Sequence, residues 1–390
     1  MNKVLKASFI FTGTIIGAGV LGLPYVIEKS GFLIGLVDIV LIGALVLLVS
    51  LMLGEVTLRT KNPHQLPGLA EKYIGKEAKH LIAFLSILSI YGALTAYIQG
   101  SGDIILYFFD IPSLIAKLLF FIPLATITCF GIKGVEKGED IFTPLIIIFI
   151  FIISLGSLFH FDKANLTKVE LSNFFTPMGI IIFAFSGLFA IPQMKEILWF
   201  ERKNLKKSIL IGFSIPFFLY VLFTFSCLGA LDGEISEVAT ISLGKHYGIF
   251  FSIFGNLFAL FAMATCFISL GNALIEIYNQ DYGINKKISF IFAMSPPLIA
   301  LAGLSTFTEV LSLTGTLFII PLYILTIYIF CKVKRFGERK PEYELRLPYW
   351  LPHLIALFLL FVSILVSFNH KYDSFFIADF LFSICRSIFI

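Results

Sequence analysis

The chain has 390 residues, of which 58% are hydrophobic and only 14% are charged, and its net charge is +4. Soluble globular proteins are about a quarter charged, so this composition excludes an ordinary soluble protein and predicts an integral membrane protein with one domain. The five cysteines form no Cys-x-x-Cys motif and no cluster with histidine, which gives no indication of a disulfide framework or a zinc site, and no basic stripe points to nucleic acid.

Eleven apolar segments are candidates for membrane-spanning helices, each of which needs roughly 20 apolar residues. They run about 5–27, 32–54, 81–108, 112–130, 141–160, 175–198, 207–231, 247–277, 288–304, 307–331 and 348–368. The remaining stretch, 374–390, is short and contains Asp379 and Arg386. We expect it to lie on the membrane surface or to pack loosely rather than to form a twelfth span.

Lysine and arginine are distributed unequally over the two sides of this topology. Most of the 29 basic residues fall in the loops on the same side as the N-terminus. Because cytoplasmic loops carry an excess of these residues, we expect a multi-pass protein of the cell membrane with a cytoplasmic N-terminus and an external C-terminus.

The first apolar segment contains an unusual density of glycine. Gly13, Gly17, Gly19 and Gly22 are followed by Pro24, although each glycine in a helix interior costs about 1 kcal/mol relative to alanine. Unwound backbone inside a bilayer is tolerated only where protein buries it or where it lines a wet cavity. The segment therefore predicts a helix that is broken at a binding site.

The sixth segment is interrupted in the same way. Gly187 follows Ser186 and precedes Pro192 by five residues, just as Gly19 precedes Pro24. Interrupted spans at corresponding positions of two halves indicate an inverted-repeat transporter. We therefore predict an all-α membrane fold with two repeats of five helices, over about 5–160 and 175–331, and an extra helix at about 348–368.

Backbone groups that are freed at the two breaks can bind a zwitterion. The amides near Gly17, Ala18 and Gly19 open the N-terminal end of a half-helix, which carries partial positive charge and suits a carboxylate. Groups of the sixth segment can accept hydrogen bonds from an ammonium group. They are the carbonyls of Phe183 and Ala184 and the hydroxyl of Ser186. This combination of donors and acceptors predicts an amino acid substrate.

Four segments resemble the amino acid/auxin permease and aromatic amino acid permease families of the amino acid–polyamine–cation superfamily. They are 13–24, 91–102, 183–192 with the following Glu196, and 264–271. The resemblance implies a five-plus-five inverted-repeat fold with about 11 helices, in which helices 1 and 6 are broken and hold the substrate. It also implies cation-coupled uptake of amino acids, with neutral or aromatic ones favoured.

The third predicted helix offers a tyrosine to the substrate carboxylate. Tyr97 is our candidate and Tyr91 is the other one. Helical geometry places the two side chains about 120° apart, so both are not expected to face the site.

The resemblance further implies a site for the coupling ion between helices 1 and 8. Its ligands would be the carbonyls of Gly13, Ile16 and Ala262 and the hydroxyl of Thr265, with Cys266 where a second hydroxyl is expected. A thiol is a poor ligand for a hard cation such as sodium. Some relatives replace the ion by a lysine on helix 5, but the segment 141–160 has none. Sodium and proton therefore both stay open, and no other metal or cofactor is indicated.

The chain lacks the motifs of a membrane enzyme or an ATP-driven pump. It has no His-Glu-x-x-His motif, no P-loop lysine motif and no nucleophile elbow. The alternatives to an amino acid symporter are a polyamine or organic-ion carrier on the same fold and a transporter-like sensor or channel. Asp38, an acid within the second span, is a further candidate for coupling because intramembrane acids are often functional.

Overall fold

The structure is a computed structural model, and it describes residues 2–233, 235–295, 311 and 314–369. The described part of the chain is helical. Its α-helices are α1 (Lys3–Ile15), α2 (Gly19–Ser30), α3 (Phe32–Arg59), α4 (Leu66–Tyr73), α5 (Lys76–Phe108), α6 (Ser113–Thr128), α7 (Ile132–Leu158), α8 (Met178–Ala184), α9 (Ala190–Ile197), α10 (Leu205–Ala230), α11 (Ala239–Tyr247), α12 (Ile249–Glu276), α13 (Lys286–Met294), α14 (Ile320–Phe336) and α15 (Trp350–Asn369).

Short 3-10 and π turns extend or connect these helices. The 3-10 turns are Lys163–Leu166, Leu171–Asn173 and Arg202–Asn204, and the π turns are Ile277–Asp281 and Thr314–Ile319. The second π turn leads directly into α14, so together they form one apolar span.

Six helices in the described ranges are long and apolar enough to cross a membrane alone. They are α3, α5, α7, α10, α12 and α14, with the adjoining short turns of the last three. α1 and α2 form a further span that is bent by 50° at the break between them. α6 and α15 are shorter apolar helices, and α8 with α9 covers the sixth predicted segment. Part of the predicted spans 288–304 and 307–331 and the whole tail 374–390 lie outside the described residues.

The fifth span begins earlier than the sequence suggested. α7 starts at Ile132 instead of residue 141. The charged residues before 141 suggested a loop, but two of them lie on this helix and pair with a lysine of α1. Glu136 and Asp140 lie 2.6 and 3.3 Å from the Lys6 ammonium of α1. The observed helix therefore contains two lysines that the segment 141–160 leaves out, Lys133 and Lys137, and both are exposed.

Helix α1 lies in the middle of the helical bundle. It packs against α7, α9, α10 and α12, and every residue from Phe11 to Ile15 is buried. Its broken end at Ile16 is therefore surrounded by protein, where irregular backbone can be satisfied within a membrane. The prediction of a broken first helix is confirmed by the bend between α1 and α2.

Candidate functional site

The first break comprises the residues between α1 and α2. Ile16 leaves the helical conformation with φ −77° and ψ 82°, and the Gly17 amide donates to the Ile15 carbonyl at 2.8 Å. Ala18 is the N-cap of α2, and no side chain caps this helix start. The amino end of α2 thus lies inside the bundle, where bulk water does not screen its partial positive charge.

The second break separates α8 from α9. α8 ends at Ala184, and the Ser186 amide then donates to the Phe183 carbonyl at 3.0 Å. Pro192 lies in the first turn of α9, where a helix does not need the missing N–H. The proline therefore does not cause a second interruption, and the break is confined to the residues around Ser186.

The two breaks touch each other. Gly19 lies against Ala184, and a Cβ atom on residue 19 would be 2.6 Å from the Ala184 Cα atom. Real Cβ atoms do not approach a neighbour so closely, so only glycine fits here. The amino end of α2 and the carboxyl end of α8 are consequently held at the same point in the bundle.

Tyr220 of α10 joins the two breaks from the side. Its hydroxyl lies 2.7 Å from the Ile15 carbonyl oxygen and 3.0 Å from that of Ala184, and the residue is fully buried. The sequence analysis missed Tyr220, since nothing local distinguishes it from the other 13 of the chain's 14 tyrosines. The contact makes Tyr220 a positioning residue for both broken helices.

A cavity of about 20 Å³ lies between the breaks. Four of the predicted substrate residues line it, namely Gly17, Tyr97, Phe183 and Ser186. Thr14 and Phe189 also contribute to its wall, and none of the described lining residues is charged. A cavity of this size holds about one water molecule.

The other predicted substrate residues lie beside this cavity. Ala18, Gly19 and Ala184 are buried but are absent from its described lining. Gly19 packs against Ala184, and the Ala184 carbonyl accepts from Tyr220. The candidate Tyr91 bonds instead to Tyr278, at 2.7 Å between the two hydroxyl oxygens.

Four of the five residues predicted to bind the ion meet where α12 crosses α1. The Thr265 hydroxyl lies 3.1 Å from the Gly13 carbonyl oxygen and 3.0 Å from that of Ala262. The Cys266 thiol lies 3.1 Å from the same Gly13 oxygen. The fifth, Ile16, is buried at the end of α1, and its amide donates to the Thr12 carbonyl at 2.8 Å. Carbonyl and hydroxyl oxygens suit an alkali cation, whereas the thiol does not.

Glu139 of α7 is a further member of this cluster that the sequence analysis missed. It is 2% exposed, and its Oε2 atom accepts a hydrogen bond from the Thr143 hydroxyl. The same carboxylate lies against Gly13, so closely that no side chain fits at residue 13. The spacing of Glu136, Glu139 and Thr143 is helical and could have indicated this position. It was overlooked because the fifth span was predicted to begin only at residue 141.

The fold is similar to that of a membrane transporter of known structure. The crystal structure of MhsT in complex with L-phenylalanine superposes with a TM-score of 0.69, covering 96% of this chain and 98% of that one at 15% sequence identity. The predicted fold class is therefore confirmed as that of an all-helical transporter.

The chain belongs to the tryptophan/tyrosine permease family, whose model matches residues 1–369. Tyrosine-specific transport system 1 of Haemophilus influenzae is 25% identical over 392 residues, which cover 94% of this chain and 96% of the relative. Glutamine transporter 2 of Aliivibrio fischeri is 24% identical over 343 residues, or 81% and 86% of the two chains. The protein is thus a membrane amino acid transporter and not an enzyme, as the sequence predicted.

Proposed function

We propose that this protein imports neutral amino acids, with aromatic ones favoured, by alternating access. The observation that carries the proposal is the cavity between the two breaks, which Gly17, Tyr97, Phe183 and Ser186 line. Backbone donors of one broken helix and backbone acceptors of the other lie around it, and a zwitterion needs both. The alternating motion would expose this one site to each side of the membrane in turn.

The carboxylate of the substrate would bind the amino end of α2. The amides at Ala18 and Gly19 supply the donors, and the Gly17 amide can join them once it releases the Ile15 carbonyl. The helix dipole favours negative charge at this end. Tyr97 lines the same cavity, and its hydroxyl lies 3.2 Å from the position of a Cβ atom on residue 17. It would add a side-chain donor from α5.

The ammonium group of the substrate would bind the carboxyl end of α8. The acceptors are the Phe183 and Ala184 carbonyls and the Ser186 hydroxyl. Because the Ala184 carbonyl already accepts from Tyr220 and the Phe183 carbonyl from the Ser186 amide, the second lone pair of each would take the new bond. This arrangement needs no acidic side chain, which disfavours a polyamine or another purely cationic substrate.

The nature of the cavity wall supports a neutral side chain on the substrate. Phe183 and Phe189 line the cavity together with Ala93, Leu270 and Ile319. Burial of apolar surface against these groups is worth about 25 cal/mol per Å², whereas a charged side chain would have no partner there. Relatives named for tyrosine and for glutamine transport both fall within this class.

Substrate binding must enlarge this site. Ligand pockets typically measure about 300–1,000 Å³, whereas the cavity measures about 20 Å³. We infer that an amino acid separates α2 and α8 from α5 when it enters, and that Tyr220 keeps the two breaks together during this movement.

The topology of the sequence analysis is part of the proposal. The repeats would span about 5–160 and 175–331, with an extra helix at about 348–368 and the N-terminus in the cytoplasm. The bias of basic residues supports this orientation. Accessibility of single cysteines at residues 2 and 203 to a membrane-impermeant thiol reagent would test it, since both should react only from the cytoplasmic side.

Uptake into proteoliposomes tests the function. Radiolabelled tyrosine, tryptophan, phenylalanine, glutamine, lysine and putrescine would be offered separately, each with and without an excess of unlabelled compound. Saturable uptake of the neutral amino acids is the expected result. Preference for putrescine would instead indicate an organic-ion carrier, and binding without any transport would indicate a sensor.

Ser186→Ala tests the placement of the substrate. Loss of a hydrogen bond to a charged group costs about 1.5–3 kcal/mol, so the KM for tyrosine should rise about tenfold or more. Ser214→Ala is the matched control, because Ser214 is exposed and its hydroxyl donates only to Leu210 of its own helix. Equal KM values for the two variants would contradict the site.

A further inference from the structure

Glu139 is a buried acid that no basic side chain neutralises. The two other acids on this part of α7, Glu136 and Asp140, lie 2.6 and 3.3 Å from the Lys6 ammonium. Glu139 contacts Gly13 further along α1 instead of Lys6, and within the described residues no lysine, arginine or histidine lies within ion-pair distance of it. Its Oε1 atom also has no hydrogen-bond partner among these residues.

The surroundings of Glu139 make a bare carboxylate costly. Asp140 on its own helix and the Cys266 thiol on α12 interact electrostatically with it, and neither supplies positive charge. Taking an ion out of water is energetically unfavourable unless a partner compensates it. Buried charges in proteins are therefore paired with an opposite charge or bind a cation.

The carboxylate also lies among oxygen atoms that can bind a cation. It contacts Gly13, whose carbonyl oxygen is 3.1 Å from the Thr265 hydroxyl. The Thr143 hydroxyl donates to the carboxylate and lies 3.5 Å from the Phe9 carbonyl oxygen. Carboxylate, carbonyl and hydroxyl oxygens of α1, α7 and α12 thus lie around Gly13.

We propose that Glu139 is the charged residue of the coupling-cation site, at which one positive charge binds between α1, α7 and α12. The charge is carried by an alkali ion or by a proton, and both neutralise the same carboxylate. The proposal rests on the proposed transport function and adds the residue that couples transport to an ion gradient.

Helix α1 connects this site to the substrate cavity. Gly13 contacts Glu139, and the next residue, Thr14, lines the cavity. Its carbonyl oxygen lies 3.1 Å from the Cys266 thiol. With the cation bound, α1 can stay packed on α7, whereas the bare carboxylate favours separation of the two helices and access of water. Cation binding thereby acts on the conformation of the first break.

The test separates substrate exchange from gradient-driven accumulation. Wild type, Glu139→Gln and the control Glu136→Gln are reconstituted into liposomes. Exchange of radiolabelled tyrosine against internal unlabelled tyrosine is measured without any gradient. Accumulation is then measured with a sodium gradient at equal pH, and separately with a pH gradient in sodium-free choline buffer.

We expect all three proteins to exchange tyrosine. Wild type and Glu136→Gln should accumulate it in at least one of the gradient arms, and Glu139→Gln should lose this accumulation at least tenfold. The arm that drives wild-type accumulation identifies the cation as sodium or proton. Absence of exchange by wild type with any amino acid would refute the proposed function, independently of Glu139.

Three results would overturn the assignment of Glu139. One is accumulation by Glu139→Gln at the wild-type level, and another is wild-type transport that ignores both gradients. The third is loss of accumulation in Asp38→Asn alone, since Asp38 is also buried and lacks a hydrogen-bond partner in the described part of the chain.

A second variant covers the case in which Glu139→Gln does not fold. Glu139→Asp keeps the carboxylate but shortens the side chain by one methylene, which moves the charge away from α1. The cation concentration for half-maximal accumulation should therefore shift at least threefold. An unchanged cation dependence in Glu139→Asp would also count against the proposal.

Discussion

Gly19 and Ala184 bring the two broken helices into direct contact. A Cβ atom on residue 19 would lie 2.6 Å from the Ala184 Cα atom and 2.8 Å from its Cβ atom. One break therefore serves as the packing surface of the other. The groups that we assign to the carboxylate and to the ammonium group of one substrate are close together for this reason.

Gly19→Leu should abolish amino acid uptake, because the leucine side chain would force α2 away from α8 and so separate the two breaks. Gly22→Ala is the control on the same half-helix, since a Cβ atom there meets its nearest neighbour at an ordinary 3.7 Å. Uptake by liposomes at equal protein content provides the measurement. Wild-type uptake by Gly19→Leu would be incompatible with the assigned site.

Tyr220→Phe should weaken the bundle at the breaks. The Ile15 and Ala184 carbonyls would lose the hydroxyl that they share, and an unsatisfied buried polar group costs about 1–3 kcal/mol. We expect a lower melting temperature in detergent and a reduced kcat for tyrosine uptake. Tyr107→Phe, which removes a half-exposed hydroxyl 3.1 Å from Ser252, should change neither quantity.

Cys266→Ser should increase the response to sodium. A hydroxyl is a better ligand than a thiol for a hard cation, and Cys266 lies 3.1 Å from the Gly13 carbonyl oxygen. The sodium concentration for half-maximal tyrosine uptake should fall severalfold. Cys227→Ser, at a buried cysteine of α10, controls for the loss of a thiol, and an identical sodium response in both variants would argue against this placement of the ion.

Lys195→Met should loosen one end of the second broken helix. The Lys195 ammonium donates to the Thr60 carbonyl at 2.9 Å and to the Asn62 carbonyl at 3.4 Å, which ties α9 to the end of α3. Methionine keeps the apolar stem but removes these bonds. Hydrogen exchange of residues 60–65 should accelerate, whereas the exposed Lys203→Met should leave it unchanged. Slower exchange in Lys195→Met would contradict a tethering role.

Local features of the sequence predicted the breaks, because glycine and proline act on the backbone where they stand. Gly17 and Ser186 are at the cavity for this reason. Tyr220 could not be predicted in the same way, since its partners are far away along the chain, and Glu139 was missed because its segment resembled a loop. Tyr220 contacts a carbonyl 205 residues before it. The charges of α7 resembled a loop because their pairing with Lys6 depends on the packing of α1 against α7.

The cavity of about 20 Å³ also bears on the electrical tightness of the membrane. An ion in water is surrounded by several solvent molecules, whereas this space holds about one. In this conformation, a hydrated ion therefore does not fit into the space between the breaks. A membrane could contain many copies of such a carrier without dissipating the ion gradients on which its own uptake depends.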